Sequence, residues 1–211
     1  MMRMPTSIVV LRPIGCGLVL ALAASLPPFA AAGPDAESRA SEASLQSGLK
    51  VGEKVPTFYV RAITGPLKNK SVCYVCRNGD RPVVMLFVRQ ITPELKTLLK
   101  KIDEEVDGHR ASGLRSFAVF VAGDGKELLP QVQTLAFDEK INLPLTIAAA
   151  PSDGSAGRSI HPDAAVTIIL YREQVVTANF AYRAEELKAE QSAQVLKGIR
   201  ALAESETAVR E

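Results

Sequence analysis

The sequence has little of several residue types that define specialised classes of protein. Its 211 residues include 3 Cys, 2 His, no Trp and 5% aromatic residues. Three cysteines are too few for a small disulfide-framework protein or for a four-thiolate zinc site. The apolar fraction of 47% excludes a disordered or collagen-like chain, and the length suits one medium domain with appendages.

An excess of charge of one sign is also absent. The 25 Lys and Arg residues exceed the 23 Asp and Glu residues only by Arg3 and Arg12, which both lie in the N-terminal segment. The rest of the chain is therefore balanced in charge. Its composition gives no reason to expect a nucleic-acid-binding surface or an attraction for acidic partners.

Residues 1–32 have the layout of a secretory signal peptide. A basic stretch precedes an apolar run over residues 14–26, and small residues end the segment at Ala32. A run of about 13 residues is short for a bilayer span. We therefore expect cleavage near Ala32, loss of Cys16 with the leader, and a secreted or periplasmic protein without stable membrane insertion. An uncleaved membrane anchor is the alternative.

The remaining chain is expected to consist of a flexible linker (33–48), a folded domain (49–205) and a disordered C-terminal tail (206–211). Apolar runs predict strands at 55–63, 82–88, 116–122, 143–149, 164–170 and 174–180. The first of these is expected at a sheet edge because it contains Pro56. The last two are expected to form a hairpin around Arg172-Glu173.

Three helices are expected between and after these strands. The best-specified one begins with Thr92 as N-cap and Pro93 in its first turn, and Gly108 ends it. Its acidic run at 103–105 is expected on the solvated face. The others lie near 128–136 and 184–203. This alternation predicts an α/β domain with a central mixed sheet flanked by helices on both faces.

Cys73-Tyr74-Val75-Cys76 is the candidate reactive motif, within a turn-rich loop over residues 64–82. Two thiols at this spacing can cycle between dithiol and disulfide, and Cys73 and Cys76 are the candidate catalytic residues. Haem attachment would need His directly after the second cysteine, where Arg77 stands. Zinc would need two further ligands, and the only imidazoles are those of His109 and His161. A lone His is more often a surface or hydrogen-bonding residue, so no metal or cofactor is expected.

The motif could also be a structural staple. Closing a ring of four residues contributes only about 2 kcal/mol of loop-closure entropy, which is small for a domain of this size. Arg77 and Arg81 would favour a thiolate and lower its pKa, although arginines in an exposed loop are also commonly just solvated.

The order of elements resembles the thioredoxin-like fold, in its redoxin branch with the peroxiredoxins (alkyl hydroperoxide reductase and thiol-specific antioxidant proteins). Residues 51–58, VGEKVPTF, resemble the redoxin opening motif, and residues 82–89 and 167–176 resemble its first core strand and late hairpin. The resemblance covers roughly residues 49–203. It implies a reactive cysteine after the first core strand, at the start of the next helix.

That implied cysteine is missing. Thr92 and Leu95 stand where a thioredoxin-like pair would lie, Leu95 stands at the peroxidatic position, and Ala165 lies where a cis-proline is expected. We therefore expect an exported thiol–disulfide oxidoreductase rather than a peroxidase, with a displaced pair, a protein thiol or disulfide partner, and Cys73 as the first candidate nucleophile. The alternative is a catalytically silent thioredoxin-like binding module with a local disulfide.

Overall fold

The apolar strands pair into one seven-stranded sheet of order β2-β1-β5-β4-β3-β6-β7. The computed structural model describes residues 45–121, 125–148 and 159–204. The strands are β1 Val60–Ala62, β2 Ser71–Val72, β3 Val83–Val88, β4 Arg115–Phe120, β5 Leu145–Ala148, β6 Val166–Arg172 and β7 Val175–Tyr182. Strands β3, β4 and β5 are parallel and the other neighbours are antiparallel, so the sheet is mixed.

In the described part of the chain four α-helices accompany the sheet: α1 Tyr74–Asn78, α2 Pro93–Gly108, α3 Gly125–Asp138 and α4 Ala189–Glu204. Helix α2 has the predicted bounds, and Thr92 Oγ1 accepts a hydrogen bond from the Leu95 N–H at 3.2 Å. Helix α4 begins later than predicted, because Ala184–Glu186 forms a separate 3-10 helix.

The two faces of the sheet are covered differently. Because side chains alternate along a strand, Val84, Leu86 and Val88 of β3 pack with the apolar faces of α2, α3 and α4. Val83, Met85 and Phe87 face the other way, into a cluster that contains the buried residues of α1. We call these the three-helix face and the α1 face. Helices therefore flank the sheet on both faces, as predicted.

The strand predicted at 55–63 is divided into two parts, which lie near opposite edges of the sheet. The Val55 N–H donates to the Gln174 carbonyl at 2.7 Å, beside β7, whereas β1 lies between β2 and β5. Between them Phe58 crosses the α1 face, stacked on Phe87 with ring centroids 5.9 Å apart. The prediction of an edge strand was therefore wrong for β1, which β2 covers.

Two further details differ from the sequence-based expectations. The β6–β7 turn is centred on Glu173 and Gln174, whose φ angles of 52° and 61° place the turn one residue later than predicted. Ser47, two residues before the predicted start of the domain, is buried, and its Oγ is hydrogen-bonded to Thr167 Oγ1 at 2.7 Å.

Three predicted segments lie largely or wholly outside the described residues: the signal peptide, most of the linker and the C-terminal tail. None of the described helices has the length and apolar character needed to cross a membrane.

Candidate functional site

Cys76 lies in a short helix that the sequence did not predict, and Cys73 caps that helix. Strand β2 pairs with β1 through Val72 and Val60, and Cys73 follows directly as the N-cap of α1. Its Sγ accepts a hydrogen bond from the Cys76 N–H at 3.1 Å, and a disulfide joins the two residues across a Cα–Cα distance of 5.4 Å. The disulfide ring therefore forms the first turn of α1.

The two sulfur-bearing residues differ in access to solvent. Cys73 is buried, with 4% of its surface exposed, whereas Cys76 is exposed. Tyr74 and Val75, the inner residues of the ring, are buried as well. The Tyr74 ring stacks on Phe117 with centroids 5.1 Å apart. Packing of the inner residues thus holds the ring on the sheet and turns Cys76 outward.

The pair lies on the opposite side of the sheet from the position that the family resemblance implied. Leu95 packs in the core of the three-helix face and is 1% exposed, and Thr92 caps α2. Cys73 belongs to the cluster on the α1 face. The sheet therefore separates the disulfide from the start of α2, where residues with structural roles replace thiols.

Positively charged side chains lie near the carboxyl-terminal end of α1. Arg77 and Arg81 are exposed and line a pocket of about 280 Å³ together with Arg110 and Arg115. Burial, with the positive charges of Arg81 and Arg110, lowers the pKa of Arg115. Burial raises the pKa of Tyr74, and the charge of Arg77 acts in the opposite direction. The sequence indicates Arg77 and Arg81 because they are next to the cysteine motif, but it does not indicate Arg110 and Arg115, which come from distant elements.

The histidines take part in local contacts. His109 Nδ1 lies 2.9 Å from the Glu105 carbonyl, and His161 Nδ1 accepts a hydrogen bond from the Asp163 N–H at 3.2 Å. Across residues 45–121, 125–148 and 159–204, no three His, Cys, Asp or Glu side chains are grouped so that they could hold a metal ion. The described residues therefore offer sulfur chemistry at the disulfide and charge at the arginines.

No protein-family model and no curated protein matches this sequence. Solved structures do match. A candidate protein disulfide isomerase from Bacteroides thetaiotaomicron is 14% identical and aligns over 76% of this chain and 94% of its own, with a TM-score of 0.59. The 2-Cys peroxiredoxin of Plasmodium vivax is 16% identical over 75% and 84%, with a TM-score of 0.58.

A candidate thiol:disulfide interchange protein DsbE from Chlorobium tepidum is 15% identical and aligns over 70% of this chain and 98% of its own, with a TM-score of 0.51. Identities this low concern the fold and not the activity. The strand order, the mixed sheet and these structural neighbours agree with the resemblance found in the sequence. The chain has a thioredoxin-like fold.

Proposed function

We propose that this protein is an exported thiol–disulfide oxidoreductase that uses the Cys73–Cys76 pair, with Cys76 as the attacking residue and Cys73 as the resolving one. The observation that carries the proposal is the unequal exposure of the pair: Cys76 is open to solvent and Cys73 is buried. This assignment reverses the first candidate drawn from the sequence, in which Cys73 attacks.

The exchange has two balanced steps. A partner thiolate attacks Cys76 Sγ, forms a mixed disulfide with it, and releases Cys73 as a thiolate. A second partner thiol then attacks the partner's own sulfur, which frees Cys76 and leaves the partner oxidised and the pair reduced. In the reverse direction the Cys76 thiolate attacks a partner disulfide and Cys73 resolves it. The Cys76 N–H, 3.1 Å from Cys73 Sγ, would stabilise the buried thiolate.

Two observations support export and thiol–disulfide exchange. The signal-peptide pattern of residues 1–32 supports export, to a compartment in which disulfides persist. Two of the structural neighbours are described as a protein disulfide isomerase and a thiol:disulfide interchange protein.

Single cysteine variants test the assignment in a Cys16→Ser background. Cys73→Ser leaves the exposed thiol, which should react with an aromatic disulfide reagent at least about tenfold faster than the buried thiol left by Cys76→Ser. The same two variants, unfolded in denaturant, should react at equal rates and serve as the control. Equal rates in the folded state would remove the basis for the assignment.

Catalysis needs its own measurement. Reduction of a disulfide-bonded protein substrate by dithiothreitol should be accelerated by the parent and not by either variant. If the parent and both variants behave alike, the pair does not exchange. The second candidate, a silent binding module, is favoured by the absence of thiols at Thr92 and Leu95, and it would then stand.

A further inference from the structure

The arginine-lined pocket lies at the amino-terminal ends of the parallel strands. Arg115 begins β4, Arg81 precedes β3 and Pro144 precedes β5, and all three line the pocket. The start of α2, by contrast, follows the carboxyl-terminal end of β3. The pocket is therefore separate from the position where the family resemblance implied a reactive cysteine.

The charges that line this pocket are of one sign. Among the residues that the structure describes, four guanidinium groups line it and no carboxylate does. Arg110 is paired with Asp107, which is not a lining residue, at 3.0 Å. Arg77 and Arg81 have no ion pair with any residue in the described part of the chain. The charge of Arg81 therefore acts unfavourably on Arg115, and a bound anion would relieve that repulsion.

A buried hydroxyl in the same wall also lacks a partner. Tyr74 lines the pocket and is 7% exposed, and its hydroxyl has no hydrogen-bond partner among the described residues. Stacking on Phe117 fixes the ring. Buried hydroxyls are hydrogen-bonded in the great majority of native proteins, so an unpaired one indicates a ligand group or water at that place.

We propose that this pocket binds a small organic oxyanion, with carboxylate or phosphate groups held by the arginines and by the Tyr74 hydroxyl. Leu67, Val106 and Leu143 supply an apolar wall for the body of the ligand. At about 280 Å³ the pocket is just below the usual range of about 300–1,000 Å³ for ligand sites, which favours a small molecule. The proposal is independent of thiol exchange, because no sulfur takes part in the binding.

Calorimetric titration of the oxidised protein with citrate and with inorganic pyrophosphate, at constant ionic strength, tests this site. We expect saturable binding of at least one probe below about 10 mM. Citrate alone would identify a carboxylate ligand, pyrophosphate alone a phosphate ligand, and both the shared oxyanion chemistry. Arg77→Gln and Arg81→Gln change exposed residues that form no ion pair with the described residues, and each should weaken binding about tenfold.

The matched control is Arg61→Gln, since Arg61 is an exposed arginine on β1 that does not line the pocket. It should leave the affinity unchanged. Tyr74→Phe removes the hydroxyl but keeps the stacked ring, and should weaken binding about threefold to tenfold without loss of stability. No saturable binding of either probe, or an equal loss in Arg61→Gln, would overturn the proposal.

Discussion

Removing the disulfide should destabilise the domain only slightly. The ring contains four residues, and the chain-entropy relation gives about 2 kcal/mol for a ring of that size at 25 °C. For a domain of this length the corresponding fall in Tm is about 4–8 °C. Reduction leaves Cys73 as a buried thiol among apolar neighbours, where a thiol behaves as a small hydrophobic group. Little packing should therefore be lost beyond the entropy of the ring.

The assay compares urea unfolding of the oxidised and reduced protein, followed by circular dichroism, in a Cys16→Ser background. A second measurement checks the first through a thermodynamic cycle. If folding stabilises the disulfide by about 2 kcal/mol, the reduction potential of the folded pair should lie about 40 mV below that of the same pair in concentrated urea. The two quantities must agree, because they describe the same four states.

A loss of more than about 5 kcal/mol, or a reduced protein that does not fold, would refute this reasoning. The ring would then support the fold as a whole, and exchange of the pair with partners would unfold the protein. A reduced protein more stable than the oxidised one would also contradict it, since the entropy of ring closure always favours the oxidised form.

Two further predictions concern contacts that tie α2 to the rest of the domain. Asp103 accepts hydrogen bonds from the Asn142 and Leu143 N–H groups, both at 2.8 Å, so Asp103→Ala should cost about 2–5 kcal/mol in urea unfolding. Arg200, which is more than half exposed, pairs with Glu105 and lowers the pKa of that carboxyl. Arg200→Gln should lower the stability slightly near pH 7, and the difference should disappear as the pH falls from about 4.5 through the lowered pKa of Glu105, which unfolding curves across that range would measure.

Local signals explain the elements that the sequence predicted well. Helix α2 has a side-chain cap and a proline next to each other at its start, and its apolar face repeats along its own 16 residues. The strand β3 is apolar throughout because it is buried on both faces. Such elements need no information from distant parts of the chain.

Long-range contacts explain what the sequence could not show. Helix α1 has only five residues, and its place on the sheet depends on the packing of Tyr74 against Phe117 from β4. Asp103, predicted on a solvated helix face, is 7% exposed because the chain before β5 folds over it. A helical pattern alone cannot identify one acidic residue that is covered by a segment some 40 positions away.

The arginine-lined pocket shows the same limit for charge. A balanced total gave no reason to expect an attraction for acidic partners, yet Arg77, Arg81, Arg110 and Arg115 gather at one place. Their positions along the chain form no motif, and the parallel strands and the end of α2 bring them together. Electrostatic attraction depends on this local arrangement and weakens within about 8–10 Å in physiological salt. Under the proposed function, an acidic partner would therefore be drawn towards the end of α1, next to the exposed Cys76.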